Sequence, residues 1–274
     1  MYPRFLQFGS LIIPTYGVLI AVGILAGLGL SMTLARRIGL DPEKVWNLGL
    51  IAVSAAIIGS RLLLILENWQ AFRAVPLLLL HIGAIHSQGA FFGGIALACV
   101  AALAYVRYAH LPLLRTLDVV APSLALAHAI ASLGSFAAGR DYGRPTSLSW
   151  GITFTSRFAA RTTGVPLGIP LHPTQLYASA AGFALCGALL ALIKRPQRDA
   201  KMRDGEIMGV WLFLFGVTQF FLEFLRADPA RPALFAGALT STQLAAIIMV
   251  LLGGLLWLRP HRPEKPEKEV AIAG

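Results

Sequence analysis

Seven long apolar runs determine what this chain can fold into. The chain has 274 residues, 57% of them hydrophobic and 13% charged, whereas soluble domains carry about 25% charged residues. A helix needs about 20 apolar residues to cross a bilayer, and the runs lack the two-residue alternation of membrane β-barrels. The sequence therefore predicts an all-α, polytopic transmembrane helical bundle of about seven spans, in one domain covering residues 1–258. The predicted spans are 12–35, 46–66, 89–108, 117–137, 173–193, 206–225 and 241–258.

The positive charges indicate how the bundle is oriented. The net charge is +10, and the basic residues cluster at the ends of apolar runs, which favours topology and anionic lipid headgroups over nucleic acid. Lys and Arg are more numerous in the loops that share a side with the carboxyl terminus. We therefore expect an extracytoplasmic amino terminus, a cytoplasmic basic tail without fixed structure at 259–274, and an extracytoplasmic Gly139–Leu171 segment.

Two connecting segments are too long for simple turns. Asn68–Ser87 contains the short apolar piece Val75–Leu80, which we expect to lie in the membrane interface or to re-enter it. Segment 138–172 contains Gly, Pro and Thr turns around a predicted strand at Trp150–Phe154, so it predicts a small loop subdomain. Gly23, Gly27, Gly29, Gly93 and Gly94 are typical of closely packed helices in lipid.

Charged residues near or within the apolar runs mark the first candidate site. Arg61 interrupts one run, and it either snorkels to the interface or binds a lipid phosphate or an internal carboxylate. Glu223 and Arg226 are three residues apart on one predicted helix and share a face. They form either a structural ion pair or part of a polar cavity.

The segment Gly139–Thr146 is the second candidate, because it places Arg140 and Arg144 beside a carboxylate and a tyrosine directly after a buried helix. Guanidinium groups suit bidentate contact with phosphate. The alternative is a cluster of solvated loop charges.

The start of the fifth predicted span supplies the third candidate. His172, Gln175 and Tyr177 are expected at the outer interface, where a histidine suits general-base chemistry near neutral pH. His128, inside the fourth run, is expected to make an interhelical hydrogen bond. Cys99 and Cys186 lie in apolar runs and indicate neither a disulfide framework nor a metal site.

These fragments, in this order, resemble the prolipoprotein diacylglyceryl transferase family, and the resemblance extends over nearly the whole chain. The matching pieces are Tyr16-Gly17, Gly59-Ser60-Arg61, Phe92-Gly93-Gly94, Asp118 with Pro122, Leu133 to Phe136, Gly143 to Thr146, Trp150-Gly151, His172 to Tyr177, Glu223 to Arg226, and Gln243.

The resemblance implies a reaction in the bacterial inner membrane. The thiol of a preprolipoprotein lipobox cysteine would receive the diacylglyceryl group of phosphatidylglycerol, and glycerol 1-phosphate would leave. No metal or organic cofactor is implied. The implied catalytic residues are Arg144, His172, Glu223, Arg226 and Tyr16. The implied phospholipid-binding residues are Arg61, Ser132, Arg140, Gly143, Gln175 and Tyr177.

Several positions depart from the pattern of the family. Ser132 and Gln219 stand where members commonly have arginine, and Phe92 stands where members often have His or Tyr. These departures leave open a second hypothesis, a catalytically altered paralogue that binds phospholipid as an accessory membrane protein. A transporter ranks third, because the chain has no internal repeat.

Overall fold

A computed structural model of the chain describes residues 3–8, 11–74, 88–193, 203–227, 233–234 and 239–259. Helices dominate these residues: α1 (Thr15–Arg37), α2 (Pro42–Glu67), α3 (Trp69–Ala74), α4 (Gln88–Tyr108), α5 (Leu113–Ala138), α6 (Arg157–Thr163), α7 (Thr174–Ile193), α8 (Glu206–Leu225) and α9 (Ser241–Trp257). Three short antiparallel pairs accompany them: β1 (Arg4–Phe8) with β2 (Leu11–Pro14), β3 (Ile152–Thr153) with β4 (Pro170–Leu171), and β5 (Ala233–Leu234) with β6 (Leu239–Thr240).

The predicted helical membrane bundle is confirmed. Within the described residues, six helices are long and apolar enough to cross a membrane, namely α1, α2, α4, α5, α7 and α8. The seventh predicted span corresponds to α9, a shorter apolar helix of 17 residues. The first span begins later than predicted, at Thr15, because the preceding apolar residues pair as a β-hairpin. The piece Val75–Leu80 and the tail beyond Arg259 lie outside the described residues.

The helices pack in the order α4, α2, α1, α5, and α5 in turn contacts both α7 and α8, with α9 against α8. Small residues allow the close approaches. A Cβ on Gly23 would lie 2.9 Å from the Ala127 carbonyl, and one on Gly94 would lie 2.9 Å from the Ala56 carbonyl. The packing predicted for these glycines is therefore confirmed. Gly29 is an exception, because a Cβ there would meet nothing within 4 Å.

Local chemistry sets where the helices begin and end. Asp41 caps α2, whose first residue is Pro42, and Gly139 ends α5 with a left-handed backbone (φ 74°). The start of α8 is capped from another helix, because the buried Asp118 of α5 accepts hydrogen bonds from the N–H groups of Gly205 (2.6 Å) and Met208 (2.9 Å). This pair of bonds fixes α8 against α5 at the end remote from the loop after Gly139.

The predicted loop subdomain is confirmed, with a predicted strand that forms as β3 and pairs with β4. Its core contains the buried side chains of Tyr142, Phe154, Val165 and Leu171. The Tyr142 hydroxyl donates to the Gly164 carbonyl (3.2 Å), which holds the end of α6 against the loop. The subdomain is thus a packed unit that can support functional side chains.

Candidate functional site

The polar loop of residues 139–146 is hydrogen-bonded to the end of α8. The Arg144 N–H donates to the Leu225 carbonyl (2.7 Å), and the Ala227 N–H donates to the Tyr142 carbonyl (3.1 Å). Together with the bridge between Gly143 and Arg226, these bonds extend the backbone of α8 into a short antiparallel ladder. The loop therefore has a defined position next to Arg226.

The same loop is bonded on its other side to the residues before α7. The His172 N–H donates to the Arg144 carbonyl (3.0 Å), and the Gly143 N–H donates to the His172 carbonyl (3.2 Å). The Thr174 hydroxyl donates to the Asp141 carbonyl (2.6 Å). Because the loop lies between α7 and α8, it brings together Arg144, His172 and the end of α8, which are far apart in the sequence.

Glu223 and Arg226 form the ion pair that their spacing predicts. Arg226 Nη1 lies 3.6 Å from Glu223 Oε2, and the two side chains are only 11% and 2% exposed. The other carboxylate oxygen accepts a hydrogen bond from the Thr240 hydroxyl (3.0 Å). The Arg144 Nε–H also points to the carbonyl of Arg226 at 3.4 Å. The carboxylate is therefore held from two sides in a buried position.

Thr240 was missed as a member of this cluster, although the sequence holds a signal for it. Thr240 and Gln243 form a capping box at the start of α9, in which each side chain accepts a hydrogen bond from the other residue's backbone N–H. A Thr followed three residues later by Gln before an apolar run is the recognised pattern for that box. The box explains Gln243 as the residue that fixes the helix start next to Glu223.

His172 and Tyr177 lie on one side of the loop. Their ring centroids are 6.4 Å apart in an edge-on arrangement, and the Tyr177 hydroxyl accepts a hydrogen bond from Trp150 Nε1 (2.8 Å). His172 Nδ1 is buried and has no hydrogen-bond partner among the described residues. A buried nitrogen of this kind suits contact with a substrate group or with water.

Gln175 corrects one expectation, because it does not extend into the outer interface. It is 1% exposed, and its Nε2 donates to the Arg140 carbonyl (2.5 Å). Its Oε1 is also buried and without a hydrogen-bond partner in the described part of the chain. The loop covers the first turn of α7, and this contact could not be inferred from the position of Gln175 near a helix start.

Arg140 and Tyr16 form a second pair at the same end of the bundle. The Arg140 guanidinium carbon lies 4.8 Å from the centroid of the Tyr16 ring, in cation–π range. Asp141 next to it has a positive φ of 52°, an uncommon conformation for a residue other than glycine, and accepts a hydrogen bond from the Ser135 hydroxyl (3.1 Å). The loop thus also contacts the start of α1.

Five further positions of interest lie within the helices. His128 Nε2 and Gln219 Nε2 are 3.1 Å apart, so His128 makes the expected interhelical hydrogen bond. The Ser132 hydroxyl is bonded to the His128 carbonyl of its own helix (2.8 Å). Arg61 and Phe92 lie, partly exposed, on the mutually packed helices α2 and α4.

The assembled site contains guanidinium groups, a buried carboxylate, an imidazole and phenols at one end of the bundle. Such a set can bind an anion and move a proton. Within the described residues, no three His, Cys, Asp or Glu side chains are grouped as metal ligands. The ligand roles of Arg61, Ser132, Arg140, Gly143, Gln175 and Tyr177 stay predictions.

Comparisons with known proteins agree with the resemblance drawn from the motifs. Residues 3–259 match the family model described as prolipoprotein diacylglyceryl transferase. The chain is 32% identical over 270 residues to a phosphatidylglycerol–prolipoprotein diacylglyceryl transferase of Synechococcus elongatus, covering 97% of this chain and 90% of that protein. It is 30% identical over 255 residues to the protein of the same name from Clostridium tetani, covering 92% and 95%. It is also 32% identical over 273 residues to that of Parasynechococcus marenigrum, covering 96% of each. This multi-pass membrane protein belongs to the prolipoprotein diacylglyceryl transferase family.

Proposed function

We propose that the protein transfers the diacylglyceryl group of phosphatidylglycerol to the lipobox cysteine thiol of preprolipoproteins, the first step of lipoprotein maturation. The family and the names of the relatives support this reaction. The observation that carries the proposal is the loop bonded between α7 and α8, since it gathers Arg144, His172, Glu223 and Arg226 at one end of a membrane bundle.

The reaction needs a thiolate and a stabilised phosphate leaving group. The cysteine sulfur attacks the glyceryl carbon that carries the phosphate ester, a carbon–sulfur bond forms, and the carbon–oxygen bond breaks. The electron pair leaves with the phosphate oxygen of glycerol 1-phosphate, and the thiol proton passes to a base. Cations placed before the reaction stabilise the charge that develops on the leaving oxygen.

Arg144 and Arg226 are the residues we assign to the phosphate. Arg144 is exposed at the loop surface, where a lipid headgroup can reach it. Arg226 is nearly buried and is held by Glu223, so this guanidinium keeps a fixed direction without the entropy cost of a free side chain. Arg61 and Arg140 are assigned to the headgroup of the bound phospholipid.

His172 and Tyr16 are the candidates for the proton acceptor. His172 has a buried nitrogen without a hydrogen-bond partner in the described chain, so that nitrogen is available to a substrate proton. Tyr16 lies under the Arg140 guanidinium. Of the two, we favour His172, because its backbone is hydrogen-bonded to Arg144 and its Nδ1 has no partner among the described residues.

We further propose that the protein lies in the bacterial inner membrane with an extracytoplasmic amino terminus and a cytoplasmic carboxyl terminus. The substrate would then reach the loop subdomain from the outer side. One contact supports the placement of the β1–β2 hairpin and the loop subdomain on the same side of the membrane. The guanidinium of Arg4 in β1 lies 4.2 Å from the ring centroid of Phe158 in α6.

The proposal is tested by rescue of a bacterial strain depleted of its own diacylglyceryl transferase. The chain and its Arg144→Ala variant are expressed, their membrane levels are matched by immunoblot, and a reporter lipoprotein is followed by gel shift and mass. The unchanged chain should restore lipidation and growth, and Arg144→Ala should not. Unmodified reporter with the protein present in the membrane would contradict the proposal and favour the altered, lipid-binding paralogue.

A further inference from the structure

A groove opens at the opposite end of the bundle from the candidate site, where α4 ends and α5 begins. Its volume is about 440 Å³, within the range of roughly 300–1,000 Å³ usual for ligand sites. The candidate site follows the last residue of α5 and the groove adjoins the first. The 26 residues of α5 separate the two by about 39 Å at 1.5 Å per residue.

The walls of the groove combine apolar and cationic side chains. The apolar part comprises Leu103, Val106, Leu111, Pro112 and Leu113, and the cationic or polar part comprises Arg107 and His110. Both Arg107 and His110 are exposed. Among the residues that the structure describes, no Asp or Glu lines the groove, so its charge favours an anion.

The carbonyl groups at the end of α4 carry partial negative charge, but they do not cancel the positive charge of the groove, because they are themselves hydrogen-bonded. The Val106 and Arg107 carbonyls accept hydrogen bonds from the N–H groups of Leu111 (3.0 Å) and His110 (3.2 Å). Lys44 Nζ donates to the Ala109 carbonyl (3.1 Å), which adds a second positive charge to that of Arg107 at this end of the helix. The negative end of the helix dipole is thereby offset.

His110 occupies a position where helix geometry favours glycine. Its φ is 54°, and the bond from Leu111 N–H to the Val106 carbonyl is the wrap-around bond of a Schellman ending. A side chain in this left-handed conformation is strained relative to glycine. The ending of α4 would be formed at least as well by glycine, so it does not explain why a histidine lies at the edge of the groove.

The first turn of α5 adds backbone donors at the same place. Pro112 precedes this helix and provides no capping side chain. N–H groups at a helix start attract anions, and Leu113, the first residue of α5, lines the groove together with Arg107.

We propose that this groove binds one anionic phospholipid, with the headgroup phosphate between Arg107 and His110 and an acyl chain along Leu103 and Leu111. The apolar wall favours a lipid over free phosphate, because only a lipid has an acyl chain that can pack against it. The site is separate from the one that performs the transfer and does not depend on it. Its role is to bind a lipid at the other face of the bundle.

The proposal is tested by native mass spectrometry of the full chain in detergent with dioleoylphosphatidylglycerol or dioleoylphosphatidylcholine. His110→Gly and Arg107→Gln should each weaken binding of one phosphatidylglycerol about tenfold, the effect of losing one charge-assisted hydrogen bond. His110→Gly should unfold at the same or a higher temperature, because glycine relieves the backbone strain. Arg36→Gln is the matched control, since Arg36 is an exposed cation in the last turn of α1, and it should bind like the unchanged chain.

Two further arms identify the ligand. Leu103→Trp should fill the apolar wall and displace the same lipid, and millimolar inorganic phosphate should not compete. Equal binding by all variants, equal binding of phosphatidylcholine at this site, or full displacement by inorganic phosphate would each overturn the proposal.

Discussion

Gly143→Ala tests whether the position of the loop between α7 and α8 makes the site. The change adds one methyl group where the loop contacts His172 and Thr174 at the start of α7. An added Cβ would lie 2.6 Å from His172 Cβ and 3.0 Å from Thr174 Cγ2, whereas carbon atoms prefer about 3.5–4.0 Å. The backbone of Gly143 does not have a positive φ, so alanine is penalised by packing and not by backbone conformation.

The magnitude follows from two terms. Overpacking costs about 1–3 kcal/mol, and the hydrogen bond from the Gly143 N–H to the His172 carbonyl, worth about 1 kcal/mol, is weakened as the loop moves away. The free energy of unfolding should fall by roughly 2–4 kcal/mol, which lowers Tm by about 4–16 °C. A displacement of Arg144 by about 1 Å should lower the rate of diacylglyceryl transfer about 100-fold.

Gly187→Ala is the matched control in α7. A Cβ on Gly187 would meet nothing within 4 Å, so alanine should stabilise the helix by up to about 1 kcal/mol and leave transfer unchanged. Both proteins are purified in detergent, melted with tryptophan fluorescence as the signal, and assayed on a lipobox peptide. A Gly143→Ala protein with unchanged Tm and unchanged transfer would refute the argument that this contact positions the site.

Three other substitutions test separate parts of the structure. Glu223→Gln keeps the acceptor for Thr240 but removes the negative charge that pairs with Arg226. The free energy of unfolding should fall by about 3–5 kcal/mol, and transfer should fall more than tenfold. An unchanged melting curve would contradict the buried pair. Asp118→Ala removes the acceptor of two N–H groups at the start of α8 and should cost about 2 kcal/mol while transfer below the melting temperature persists; loss of transfer in a fully folded protein would contradict its purely structural role. Trp150→Phe and Tyr177→Phe should each lower the rate of transfer only slightly, and the double variant should transfer no more slowly than the more affected single variant. Additive losses of transfer would show that the hydrogen bond does not couple the two residues.

Periodicity and spacing predicted much of this molecule because those features are local. In a membrane protein, a run of about 20 apolar residues is enough by itself to indicate a spanning helix, and the i, i+3 spacing of Glu223 and Arg226 places them on one face. Hydrogen bonds over long separations follow no such rule. Asp118 caps a helix start 87 residues away, and nothing in its neighbourhood in the sequence indicates this.

Gln175 also shows that local sequence does not determine tertiary contacts, in this case the burial of a side chain. Its place at the start of an apolar run predicted an interfacial side chain, but the loop folds over it and buries it. Whether a helix end is covered depends on a segment 35 residues earlier in the chain. Tertiary contact, not local sequence, decided the environment of this residue.

The most direct test of the central claim is transfer by the purified chain. The protein is incubated with isotopically labelled phosphatidylglycerol and a synthetic lipobox peptide, with a Cys-to-Ser peptide as control, and both products are measured by mass spectrometry. We expect a diacylglyceryl thioether on the cysteine peptide alone and one glycerol 1-phosphate released for each peptide modified. Phosphatidylglycerol bound to the protein with neither product formed would contradict it.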